Sequence, residues 1–130
     1  MLHQRLGEVF WDWGVPTAAS IVEVSRSTKL TVIASGGVRS GLHGAKALAL
    51  GASAFGLALP FLKSTSGGLE EVKDKLETIL MELRTAMLLT GCRSVEEARM
   101  TPAVITGPTG EWLRARGLDP SWYAKSRRIG

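Results

Sequence analysis

Hydrophobic and polar positions change their period several times along this chain. After Gly14-Val15-Pro16-Thr17, the residues Ala18, Ile21, Val22 and Ser25 fall at helical spacing. Proline is at home in a first turn, so the spacing predicts a helix from about Pro16 to Ser25. The run "KLTVIAS" breaks that period. It is short, rich in β-branched residues and without clean alternation, with Ser-Thr-Lys before it and Gly-Gly after it. A strand buried on both faces has this pattern, and it is placed at Leu30 to Ala34. Ser40 can cap a second helix in which Leu42, Ala45, Leu48 and Ala49 share a face and Gly51 closes the end. "SAFGLAL" then reads as a second buried strand, stopped by Pro60. Leu69, Val72, Leu76, Ile79, Leu80 and Leu83 predict a long helix from about Leu69 to Leu89, with Glu70 and Glu71 suited to its start and Gly91 to its end. Ser94-Val95-Glu96-Glu97 fits a capping box that begins a short helix. From Met100 onward the chain is rich in Pro, Gly and basic residues and reads as a surface tail with one short helix near Trp112.

Strand, glycine turn, helix and strand in about thirty residues make a βαβ unit, with parallel strands and a right-handed crossover expected. The Gly-Gly turn then lies at the carboxyl end of the first strand. Two strands cannot cover one another's faces and edges, so the chain reads as part of a larger barrel or sheet. The barrel-like portion is about 10–91 and the tail 92–130.

Composition narrows the class. Of 130 residues, 45% are hydrophobic and 22% charged, the balance of a globular chain rather than a disordered one. The net charge of +4 suits an anionic partner without choosing one. Its distribution says more: from Val24 to Leu69 there is no Asp or Glu, while Arg26, Lys29, Arg39, Lys46 and Lys63 are basic. Cys92 is the only cysteine, which fits a reducing compartment, and neither His3 nor His43 has metal-ligand spacing around it. The N-terminus lacks the apolar region of a signal peptide, and the uncharged run from Ala47 to Leu62 is too short and too broken to span a membrane. A cytoplasmic setting is expected.

The candidate chemistry lies in the turn "SGGVRSG". Adjacent glycines let a ligand approach the main chain and permit positive φ, and a helix start adds aligned N–H donors. Phosphate is the usual guest of such a turn. Leu42-His43 follows Gly41 where a P-loop would carry Lys-Ser/Thr, and Gly36, Gly37 and Gly41 do not give G-x-G-x-x-G. Two readings remain from spacing: the phosphate site of a (β/α)8 barrel, or a tight turn that needs glycine for geometry alone, with Arg39 a solvated cation. The acid-free segment, and a second turn at Ala58-Leu59 after the next strand, favour phosphate.

The chain also resembles a known family, the type 2, flavin-dependent isopentenyl diphosphate isomerases. "FWDWGVPTAASIVEV" (Phe10 to Val24), "IASGGVRSG", "AKALALGA", "LALPFL" and "LRTAMLLTGCRSVEEA" carry the resemblance. The Gly-Gly-x-Arg turn and the following helix are shared with FMN barrels in general. The Trp-Gly-x-Pro-Thr-Ala segment and the Arg-Thr-x-Met stretch point to the isomerases. The resemblance covers about Phe10 to Gly117 and only the carboxyl-terminal third of the family's chain. It implies a partial (β/α)8 TIM barrel, comprising the last helices and last two parallel strands with a helical tail. It further implies binding of reduced FMN, use of NADPH and Mg2+ at sites not identified in this chain, and interconversion of isopentenyl and dimethylallyl diphosphates.

Carried over residue by residue, Thr17, Gly36, Gly37, Val38, Arg39, Ala58 and Leu59 should surround the FMN phosphate. His43 departs from the family, whose pattern has Asp there, and Gly44 beside it is a weak helix former. No catalytic residue and no metal ligand is assigned. Glu23 is the one acid to consider for proton transfer, set against a plain surface or interface carboxylate, since the sequence offers it no polarising partner. An isoprenoid diphosphate would be the partner of the whole enzyme, and association with further copies or with the missing barrel portion is expected. Membrane and nucleic-acid partners are not. The alternatives are another FMN barrel, such as a 2-hydroxy acid oxidoreductase, and a basic binding module using Arg114, Arg116, Lys125, Arg127 and Arg128.

Overall fold

A computed structural model of the chain describes residues 2–125. The first helix, α1 (Leu2–Val9), leads through an exposed aromatic stretch, Phe10 to Trp13, to α2 (Thr17–Ser27). Pro16 stands just before α2, where its missing N–H costs nothing. β1 (Ile33–Ala34) and β2 (Ala54–Phe55) pair in parallel, Ile33 opposite Ala54 and Ala34 opposite Phe55, with α3 (Gly41–Ala49) as the crossover. Ser40 caps α3 by accepting a hydrogen bond from the His43 N–H at 3.1 Å. Gly51, at φ +116°, closes the turn back toward β2. There follow α4 (Leu59–Ser64), one 3-10 turn (Thr65–Gly67), and the long α5 (Gly68–Leu89). The chain continues with α6 (Val95–Arg99), α7 (Gly107–Ala115) and α8 (Ser121–Ala124). Ser94 caps α6 by accepting from the Glu97 N–H at 3.2 Å, as its capping motif requires.

Crossover helix α3 holds the fold together. Ala47 and Leu50 face one core cluster, with Ala19, Ile21 and Val22 of α2 and Ala34 of β1, while Leu48 faces another, with Cys92 and Ala98. Both glycines of α3 are there for packing. A Cβ on Gly41 would strike the Ile79 carbonyl and the Leu83 amide of α5, and one on Gly44 would strike the Phe55 ring of β2. The helix runs unbroken through Gly44, because the contact with Phe55 outweighs a weak local propensity.

Three sequence expectations are corrected. Each strand is only two residues long, where the apolar runs suggested five to seven. A ladder lengthens when both edges pair, and here β1 and β2 have only each other among the described residues, so Leu30 and Ile33 stand 79% and 64% exposed. The run "SAFGLAL" does not stay extended to its end: Ala58 precedes α4 and Leu59 begins it, so Pro60 starts a helix rather than stopping a strand. The tail is no surface appendage. Leu113 and Tyr123 are fully buried in the cluster formed with α2, and the Ala103 N–H donates to the Tyr123 carbonyl at 2.7 Å. Aromatic and aliphatic residues spaced among glycines and prolines hide their period, which is why Leu113 and Tyr123 escaped notice.

Candidate anion site at the strand ends

Parallel pairing brings the loops after β1 and β2 to the same end of the sheet, and the start of α2 joins them there. The Thr17 hydroxyl donates to the Gly36 carbonyl at 2.8 Å, tying the first residue of α2 to the glycine turn. Gly36 and Gly37 have φ of +91° and +72°, values that L side chains rarely adopt. Val38 is buried and pins the turn to the core, while Arg39 extends into solvent. The turn after β2 abuts this one: the Gly56 N–H donates to the Ala34 carbonyl at 2.8 Å.

Among the described residues, the successive N–H groups of Gly36, Gly37 and Val38 have no acceptor. These three residues, with Thr17, Ala18, His43 and Lys46, line a cavity of about 310 Å³. A Cβ on Gly37 would meet nothing within 4 Å, so the space beside that amide is open. The next donors are already engaged. The Arg39 N–H donates to His43 Nδ1 at 3.3 Å, and the Gly41 N–H donates to Glu82 Oε2 of α5 at 2.6 Å. A resident carboxylate therefore occupies the first amide of α3, and the donors left for a mobile anion are those of the turn.

Of the residues expected around a phosphate, the fold gathers Thr17, Gly36, Gly37 and Val38 on one cavity wall. Arg39 lies beside it with no hydrogen bond or ion pair to its guanidinium among the described residues. Ala58 and Leu59 lie in the neighbouring turn and do not line this cavity. Sequence reasoning passed over His43 and Lys46 as wall residues. The three-residue step that brings both onto one face of α3 was the available signal.

Glu23 has the partners its sequence context lacked. Its Oε1 accepts from Trp112 Nε1 at 2.8 Å and from Arg116 Nε at 3.1 Å, both on the α7 segment. The indole bond, and then Arg116, lower its pKa from the ordinary 4.5, against the opposing effect of burial. Such a carboxylate is a poor proton donor at neutral pH, and its geometry is that of a tether between α2 and the tail. Arg26 adds a second tie, lying over the Trp122 ring at 4.8 Å. Arg116 is thereby taken out of any free basic patch, and Arg127 and Arg128 lie outside the described residues.

Because the native carboxyl binds fewer protons than the unfolded one, the tether contributes stability above the ordinary carboxylate range. That contribution is lost as pH falls through the lowered native value. In an acid titration followed by NMR, the Trp112 indole N–H should shift with a midpoint below 4.5, and the shift should vanish in Glu23→Gln. A midpoint at or above the ordinary value would remove the tether.

Comparison with known proteins accounts for the turn and the strands together. The family model described as FMN-dependent dehydrogenase matches residues 12–105. The chain is 51% identical over 120 residues to the isopentenyl-diphosphate delta-isomerase of Methanothermobacter thermautotrophicus, covering 92% of this chain and 34% of that protein. It is 48% identical over 129 residues to that of Thermococcus onnurineus, covering 98% of this chain and 34% of the relative. The isopentenyl-diphosphate delta-isomerase of Pyrococcus furiosus is 48% identical over 127 residues, 97% of this chain and 32% of the relative. These relatives carry the name that the motifs suggested, and the chain spans about a third of their length. The family match takes in the glycine turn, both strands and the helices that pack on them, and on that evidence the chain belongs to the FMN-dependent dehydrogenase family.

Proposed function

We propose that this chain is the FMN-phosphate-binding portion of an isopentenyl-diphosphate delta-isomerase, built as the last two strands of a (β/α)8 barrel with their helices and a carboxyl-terminal tail. The observation that carries the reading is the run of three acceptor-free N–H groups at Gly36, Gly37 and Val38 on the wall of a cavity with room for a phosphate. The residues fit the group. The turn offers donors without side chains in the way, no acidic residue occurs from Val24 to Leu69, and Lys46 and Arg39 supply positive potential.

In this reading the Gly36 to Val38 amides receive phosphate oxygens, and the Thr17 hydroxyl fixes the turn through the Gly36 carbonyl. Arg39 is free to swing onto the anion, and Ala58 and Leu59 border the site from the adjoining turn. Bound reduced FMN would supply the electron-rich ring on which alkene protonation and deprotonation in such isomerases depend. NADPH, Mg2+ and the substrate diphosphate are assigned to segments outside this chain, as is the proton-transfer group. Homo-oligomeric assembly and a cytoplasmic setting go with the reading. Among the described residues no helix is long and apolar enough to cross a membrane. The family description also admits a flavin oxidoreductase acting on 2-hydroxy acids, and flavin reduction by substrate itself would select that alternative. An FMN titration tests the site: Gly37→Val should weaken binding far more than Lys29→Ala.

A further inference from the structure

We propose that His43 is a proton-operated latch on the phosphate site, covering the Arg39 amide when neutral and turning into a donor to the anion when protonated. The inference rests on the phosphate-site reading and deepens it. His43 Nδ1 accepts from the Arg39 N–H at 3.3 Å, and only an unprotonated ring nitrogen can accept, so this contact requires neutral imidazole with its proton on Nε2. The same ring lines the cavity with Gly36, Gly37, Val38 and Lys46.

A proton taken up from solvent at Nδ1 sets two donors against each other, and the contact with Arg39 must open. The ring, which lines the cavity, can then offer a hydrogen to whatever occupies it, and the Arg39 N–H beside it is released as a second donor. An anion accepts from both and also gains a positive charge beside it, so binding and protonation favour one another reciprocally. The charged groups around the ring are few. They are Arg39 in the turn, Lys46 on the same face of α3, and Glu82 of α5, whose carboxylate is held by the Gly41 N–H. Thr17, Ala18 and Ile21, which α2 presents to the cavity, do not titrate. An incoming dianion would meet the His43 ring and Lys46 on one wall of the cavity.

The test is the FMN dissociation constant of the parent chain, His43→Asn and His43→Lys at about pH 6 and pH 8, read by flavin fluorescence. The FMN phosphate itself titrates in this range, so the quantity to follow is the ratio of variant to parent, from which the ligand's own titration cancels. Asparagine accepts from the Arg39 N–H at every pH, and lysine donates at every pH. The latch predicts that the Asn-to-parent ratio rises by about tenfold from pH 8 to pH 6, the scale of one charge-assisted hydrogen bond. It also predicts that the dissociation constant of His43→Lys is about a tenth of the parent's at pH 8 and equal to it at pH 6. Binding with flat ratios would overturn the latch and leave the phosphate site standing. If no variant binds FMN at any pH while circular dichroism shows all three folded, the site reading falls and the latch with it.

Discussion

The 130-residue chain alone is expected to convert no detectable isopentenyl diphosphate, and to self-associate in solution. Its sheet has two strands of two residues each, paired only to one another among the described residues. Beside β1 lies a cavity of about 270 Å³ whose lining mixes Val15, Ile21, Val24, Val32 and Ile33 with Thr17, Ser20 and Ser35. Leu30, Trp11, Trp13 and Leu62 add apolar surface, all more than two-thirds exposed. Unpaired edges and contiguous apolar faces are templates for association, so sedimentation should show species larger than a monomer. Catalysis fails for a separate reason. Holding substrate, metal and flavin ring in one reactive geometry is worth about 7–11 kcal/mol of barrier, and under the proposed function this chain would supply only the phosphate end of the arrangement. An assay with reduced FMN, Mg2+ and isopentenyl diphosphate checks the rate. A folded monomer turning over as fast as a whole isomerase would contradict the account.

Replacing Gly37 with valine should carry the largest effect of any single change at the site. At φ +72° a β-branched residue is strained by about 1–2 kcal/mol before any ligand is considered. Among the described residues, and apart from its two chain neighbours, nothing lies within 4 Å of the added Cβ, so there is no distant clash to relieve and the turn can persist. The branched side chain instead takes the open space beside the amides, where the phosphate would sit. FMN affinity should fall by about tenfold or more, the cost of at least one charge-assisted hydrogen bond. Lys29 is exposed and outside the cavity, so Lys29→Ala should stay within about twofold of the parent, as a screened peripheral charge does. Equal affinities of the two variants in a flavin titration would detach the glycine turn from flavin binding.

Local signals made much of this fold legible. The α5 stripe, the caps at Ser40 and Ser94 and the closing role of Gly51 each depend on residues close together in sequence, and each was read close to where it stands. Properties that depend on distant partners were not legible. Strand length depends on neighbours that a two-stranded sheet lacks, so the apolar runs overstated β1 and β2. Leu113 and Tyr123 are core because α2 offers them a surface more than ninety positions earlier, and no periodicity announces such a contact. The same separation hid the Trp112 and Arg116 contacts that turn Glu23 from a proton-transfer candidate into a tether. Gly41 fitted no phosphate-loop spacing in the sequence, and its missing side chain lets the backbone of α5 approach, a contact no local pattern announces. In the site itself, Gly36 and Gly37 were visible because backbone freedom leaves a mark in sequence, whereas Thr17 was reached only through the family resemblance. His43 became visible only through the hydrogen bond its ring accepts.

The claim that the glycine turn takes the phosphate of a flavin is tested most directly by titrating the chain side by side with FMN and riboflavin, which differ only in that group. The account predicts that FMN binds at least about tenfold more tightly and that inorganic phosphate competes with it, as expected when charge-assisted hydrogen bonds to the phosphate carry the affinity. Equal affinity for the two flavins, with no competition from phosphate, would contradict it.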